Sequence, residues 1–164
     1  MIPRPDPVAP GQESVWSFPR PAIAEPTRTH VVIGHAGTIV AETRASVRTL
    51  ETSHSPSYYI PRDDSAPGIL RRTHGSSFCE WKGEADYWDV VIGDIVLPRV
   101  GWSYAMPTSS FFVLRDHVAF FAAPFDQCRV DSETVIPQPG DFYRGWITRA
   151  VVGPFKGGSG TRGW

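Results

Sequence analysis

Asp86-Tyr-Trp-Asp-Val-Val-Ile92, then Gly93-Asp94, then Ile95-Val-Leu97 is the stretch that decides the fold class. An aromatic and β-branched run, a tight glycine-led turn and a second apolar run are the pattern of an antiparallel hairpin. Working outward, Thr29-His-Val-Val-Ile33 and Thr38-Ile-Val-Ala-Glu-Thr43 flank Gly34-His-Ala-Gly37 and read as another hairpin. Ser46-Val-Arg-Thr-Leu-Glu51 alternates in part, as a half-buried strand does, although Ala45 to Glu51 also fits a short helix. Tyr58-Tyr-Ile-Pro61 is strand-like and stops at a proline that cannot donate to a ladder. Asp63 to Gly68 reads as a loop, and Lys82-Gly83 as a turn after Ser76-Ser-Phe-Cys-Glu-Trp81. His117-Val-Ala-Phe-Phe-Ala122 is again strand-like, and Gln127 to Val130 is expected to pair with it across the turn at Pro124. About seven or eight such runs, with no repeat and no long helical stripe, predict an all-β fold: one antiparallel domain of two small sheets.

The chain has 164 residues, enough for a single domain with a real core. At 41% apolar and 20% charged residues it has ordinary globular composition. The formal net charge of -1 supplies no bulk field for nucleic acid or an anionic membrane, and Arg71-Arg72 is too short for a polybasic run. No run of roughly 18 apolar residues is present, so no membrane span is expected. The first residues lack the apolar segment of a secretory signal, which makes the cytoplasm the expected compartment. Cys79 and Cys128 stand 49 positions apart and are expected as free thiols; they form no metal or redox motif, and no cofactor is implied. Seven prolines in residues 1–28 suggest an extended N-terminal arm that docks through Val15, Trp16 and Phe18. Residues 29–126 read as the β domain, and 127–164 as a C-terminal extension packed on it.

Five short strings then fall in a specific order: Ser57-Tyr-Tyr-Ile-Pro-Arg62, Cys79-Glu-Trp-Lys-Gly83, Ala85-Asp-Tyr-Trp88, Trp102-Ser-Tyr104 with Pro107, and His117-Val-Ala-Phe-Phe121. This succession resembles the DUF427 family over roughly residues 29 to 126. The resemblance implies a small antiparallel β domain of the β-tent group. Several tents carry a structural zinc on paired Cys-x-x-Cys motifs; these are missing here, so the resemblance implies no metal. A nucleotidyltransferase label also attaches to the family. That chemistry needs two close carboxylates for magnesium and a backbone cradle for phosphates. Asp63 and Asp64 are adjacent and would point to opposite faces of a strand. Gly157-Gly-Ser-Gly-Thr-Arg162 resembles the Gly-Gly-x-Gly-Thr-Arg loop of sugar-nucleotide pyrophosphorylases, but only Gly163 and Trp164 follow it, so a phosphate-binding helix is not expected.

The candidate site residues are Tyr59, Arg62, Lys82, Trp88, Trp102 and Tyr104. Tyr58, Tyr59, Tyr87, Trp88, Trp102 and Tyr104 form an aromatic set in which alternation sends one of each adjacent pair inward. They serve either as core or as the walls of a pocket for a planar or cationic ligand or a sugar ring. Lys82 sits in a turn and either binds an anionic group or stays solvated. Arg62 either clamps a carboxylate or phosphate, or pairs with Glu51 or Asp64. His74 is either a loop residue or a base, and a His74–Cys79 pair is the weaker, catalytic alternative. Three functions follow from these residues: a binding module for a small polar or anionic metabolite, a cofactor-independent hydrolase or lyase using His74, Cys79 or Lys82, and a protein-interaction domain. The expected partner is a small-molecule ligand, without nucleic acid or membrane.

Overall fold

The computed structural model describes residues 2–140 and 144–164. Its strands are β1 Glu13–Ser14, β2 Ile23–Pro26, β3 Val31–His35, β4 Thr38–Thr43, β5 Val47–Leu50, β6 Ser57–Pro61, β7 Leu70–Cys79, β8 Gly83–Ile92, β9 Ile95–Ser103, β10 His117–Phe120, β11 Gln127–Val130, β12 Glu133–Thr134, β13 Ile136–Pro137, β14 Trp146–Ile147 and β15 Val151–Val152. Three short 3-10 segments, Val15–Ser17, Arg62–Asp64 and Ser109–Leu114, are its only helical turns among the described residues. The fold is all-β. Its body is a seven-stranded sheet in the order β2-β5-β6-β10-β9-β8-β7 and a four-stranded sheet in the order β12-β11-β3-β4. Two further short ladders, β13 with β14 and the parallel pair of β1 with β15, complete the fold.

Alternation along the strands sorts the side chains of the large sheet onto two faces. Tyr58, Ile60, Val118, Phe120 and Val90 point to one face and pack against Val31, Ile33, Val40, Cys128 and Val130 of the small sheet. Tyr59, Ala119, Tyr87, Ala85 and Trp102 point to the other and pack with Phe111 and Leu114 of the 3-10 segment. Both faces are therefore covered in the middle of the sheet. This explains why adjacent aromatics such as Tyr58 and Tyr59 are both buried, at 7% and 1% exposure, where simple alternation expects one of them outward.

A bulge in β9 keeps this sorting intact. Trp88 pairs with Gly101 but Val90 pairs with Leu97, so β9 carries the extra residues. Arg99 takes φ +50 there, and its amide donates to Asp89 Oδ1 at 2.9 Å. That bond, with the Arg71 guanidinium on the other oxygen, outweighs the cost of desolvation and holds the Asp89 carboxyl below its usual range. Past the bulge, Gly101 faces the core, and a Cβ there would lie 3.3 Å from the Phe120 ring.

Two local expectations are corrected. Residues 47–50 form strand and no helix, because β5 is held between β2 and β6 in the sheet. Gln127–Val130 does not pair with the His117–Phe120 strand; it pairs with β3 and β12 in the other sheet. The Pro124 turn carries the chain between sheets, with the Phe125 ring edge-on to Phe120 across the core. The Asp126 carboxylate then receives the Ala36 amide in the β3–β4 turn, which fixes the new partner.

Both ends of the chain pack on this body. Arg48 binds Glu13 and Glu25 and so links β1 and β2 to β5. Val15 and Phe18 bury beside Leu50 and Val151. Trp146 is 1% exposed, packs in the main core, and donates its indole N–H to the Phe120 carbonyl at 2.9 Å. Replacing Trp146 by alanine removes a large buried ring and strands a buried carbonyl; we expect a loss of about 3–5 kcal/mol in urea unfolding, whereas the exposed Ile136→Ala should change stability by about 0.5 kcal/mol or less.

Candidate functional site

The second face of the large sheet is not covered everywhere. Beyond Phe111 and Leu114 it opens into a cavity of about 480 Å³. Tyr59 from β6, Trp102 from β9 and Tyr104 just after β9 make its aromatic side, with Cys79 at the end of β7 and Trp81 and Lys82 from the β7–β8 turn. Glu51, His54, Ser55 and Ser57 from the chain around the β5–β6 connection line another wall, with Gln138, Arg144, Gly145 and Lys156 from the C-terminal part.

Each side chain is placed by a local constraint. Lys82 sits in a turn closed by Gly83, whose φ of +108 is a conformation that disfavours any other residue. The Thr108 amide donates to the Lys82 carbonyl at 3.0 Å, and the Thr108 hydroxyl to the Trp81 carbonyl at 2.5 Å, which ties this turn to the 3-10 segment. Lys82 Nζ lies 5.6 Å from the centre of the Phe111 ring. Trp102 donates its indole N–H to the Tyr59 hydroxyl at 3.0 Å, and the two rings meet edge to face. Burial pushes both the Tyr59 and Tyr104 hydroxyls well above the ordinary phenol range. Both remain neutral at working pH and serve as hydrogen-bonding groups, not as bases.

Arg144 is held by aromatic rings. Its guanidinium carbon lies 4.8 Å from the Trp102 ring centre, 5.0 Å from Phe121 and 5.5 Å from Tyr87. Its Nη2 donates to the Tyr87 hydroxyl at 2.9 Å, and that hydroxyl also bonds Ser77 Oγ at 2.7 Å. The Arg99 guanidinium covers Tyr87 at 4.2 Å. Burial works against ionising Tyr87, but the bonds from Ser77 and Arg144 and the two cationic charges outweigh it and lower its pKa. Gly145 must lack a side chain, since a Cβ there would overlap the Ser55 carbonyl and the Gln138 side chain. This close approach brings the Arg144 segment onto the cavity.

Four of the six candidate binding residues, Tyr59, Lys82, Trp102 and Tyr104, line this one cavity, and so does Cys79. Arg62 and Trp88 do not. Trp88 is even-numbered on β8 and so turns to the opposite face, where it packs on the main core and donates to Ser103 Oγ at 2.8 Å. Arg62 stands over the Trp88 ring at 5.3 Å and pairs with Asp116 at 3.4 Å, not with Glu51 or Asp64. His74 is also not on the lining. It lies inside β7 and not in a loop, at the irregularity between Arg72 and Ser76, where its carbonyl accepts from Arg99 Nη1 at 2.8 Å. The closest approach to an acid–histidine pair on the cavity wall is instead His54 Nδ1 to Glu51 Oε2, at 3.6 Å. Burial, reinforced by Lys156 and Arg20, outweighs Glu51 and the Thr52 carbonyl and lowers the His54 pKa, favouring the neutral ring.

Sequence reasoning missed Arg144, His54 and Gln138. Arg144 falls in no motif; its only local mark is the Arg-Gly-Trp string ahead of a buried run. The glycine-rich string Gly157 to Arg162 folds as turns closed by the Thr161 hydroxyl, which accepts from the Gly157 amide at 2.8 Å. Among the described residues no three His, Cys, Asp or Glu side chains gather as a metal site, and no helix is long and apolar enough to cross a membrane.

The Tyr87 environment has a spectroscopic consequence. In an ultraviolet pH titration of the native protein, Tyr87 should ionise below the usual phenol value near 10, whereas Tyr58, Tyr59 and Tyr104 should ionise above it. Arg144→Gln should move the low transition upward; an unmoved transition contradicts the Tyr87–Arg144 contact.

None of the curated proteins matches the chain. A family model described as a domain of unknown function, DUF427, matches residues 23–131. That span starts at β2, the edge strand of the large sheet, and ends just after β11 in the small one, so it takes in most of both sheets and leaves out Arg144. With well over half of its length matched, the chain belongs to the DUF427 family.

Proposed function

We propose that this domain binds a small polar metabolite bearing an anionic group, with its planar or ring portion against Tyr59, Trp102 and Tyr104. The observation that carries this reading is the state of two cations. Lys82 and Arg144 are both half-buried, both line the cavity, and neither forms an ion pair with a carboxylate among the described residues. A cation withdrawn from water without a counter-charge is costly, and an anion entering the cavity relieves that cost. The aromatic faces around Arg144 soften its charge without adding a counter-charge. Among the described residues the lining carries three cations, Lys82, Arg144 and Lys156, against two carboxylates, Glu51 and Glu80, and Glu51 already faces Arg20 and His54. The volume also lies within the range of small-molecule sites. Tyr59 and Tyr104, kept neutral by burial, supply hydroxyls to the ligand's polar atoms.

The test is a thermal-shift titration with benzoate and with inorganic phosphate at constant ionic strength, since a ligand of the native state raises the transition temperature with concentration. We expect benzoate to stabilise the wild type, and Lys82→Ala and Arg144→Ala each to weaken it by roughly tenfold or more, the scale of one charge-assisted hydrogen bond. No shift with either anion, or shifts that both variants leave intact, would overturn the reading.

A further inference from the structure

A second, smaller cavity of about 210 Å³ adjoins the first. The two share Gln138, Arg144 and Gly145 in their walls. The other described residues of its wall, Phe121, Ala122, Ala123, Pro124, Pro137 and Gly140, carry no polar side chain. Arg144 therefore stands between a large polar and aromatic chamber and a small apolar one. Its position is doubly fixed, by the Tyr87 hydroxyl on one side and by the Trp102 and Phe121 rings on the other. The Gly145 backbone, pressed on Ser55 and Gln138, forms part of the wall common to both.

Resting on the anion-binding reading above, we infer that the ligand is an amphiphilic organic acid. Its carboxylate sits at Arg144, and a short aliphatic or ring substituent fills the small chamber. At about 210 Å³ the small chamber, which is open to solvent along Ala123, Pro124 and Gly140, has room for a compact substituent of this kind. Among the described residues the chamber offers no polar side chain beyond the shared Arg144 and Gln138, so a second polar group placed there gains no side-chain partner from them. Selection at this end is by size and by lack of polarity. Selection at the other end is by Lys82 and the tyrosine hydroxyls.

The prediction concerns a homologous series. In calorimetric or thermal-shift titrations of the full chain with acetate, butyrate and hexanoate, affinity should rise by about fourfold per added methylene, the equivalent of roughly 0.8 kcal/mol. 1-Hexanol should bind more weakly than hexanoate, because it lacks the charge that Arg144 receives. Arg144→Gln should weaken every acid in the series. Ala123→Leu, which enlarges a lining residue of the small chamber at an exposed position, should flatten the dependence on chain length; Ala122→Val, at the adjacent lining residue, does the same if the leucine variant does not fold. Acids that bind in the wild type with equal affinity at all lengths would overturn the amphiphilic ligand and leave the anion site standing. A chain-length dependence that both cavity-filling variants preserve would also overturn it, since the tail would then lie elsewhere. If neither the acids nor benzoate and phosphate bind at all, the anion-binding reading itself fails and this inference with it.

Discussion

The structure rests on a sheet that must satisfy two faces at once. Each strand of the seven-stranded sheet sends alternate side chains to opposite sides, and no strand can slip by one residue without exchanging them. On one side that alternation brings Ile60, Val90 and Val118 against the small sheet. On the other it brings Tyr59 and Trp102 to the cavity, with Tyr87 packed in the same cluster. The β9 bulge at Arg99, anchored on Asp89, is where this sorting is enforced, because it takes up the extra residues between Leu97 and Gly101. The cavity is thus a by-product of a register set by hydrophobic burial. Its aromatic residues are held as firmly as core residues because they are core residues.

The chemistry of the site then comes from what is added to that rigid floor. Lys82 arrives on a turn clamped to Thr108, and Arg144 on a segment that Gly145 allows to approach closely. Placing cations against aromatic faces instead of carboxylates leaves their charge available to a ligand. Neutral phenols beside them supply hydrogen bonds without adding a competing negative charge. We propose that such a site recognises an acid; Tyr59 and Tyr104 are held too far from ionisation to act as bases.

Much of this was legible from the sequence, because strands with one recognisable period dominate. The hairpin of Asp86 to Leu97 and the paired aromatics Tyr58-Tyr59 and Tyr87-Trp88 pointed to an all-β body with aromatic side chains split between faces. Period alone does not say that both faces are buried, so Trp88 was grouped with Trp102 although the sheet separates them. β7 was only partly visible: it is an edge strand with mostly exposed side chains, so Leu70 to Gly75 carries no apolar alternation. The partner of β11 depends on the turn that takes the chain from one sheet to the other, a long-range choice that local propensity does not encode. Arg144 was invisible because its role arises from a close backbone approach at Gly145 and not from any motif.

The six tryptophans offer direct reporters of the two faces. In a proton–nitrogen correlation spectrum recorded during addition of benzoate, the indole N–H signals of Trp102 and Trp81, which border the cavity, should move. Those of Trp88 and Trp146, in the opposite core, should stay in place. Movement confined to Trp88 or Trp146, or no movement at any indole, would contradict the proposal that an anion binds on the Trp102 face of the sheet.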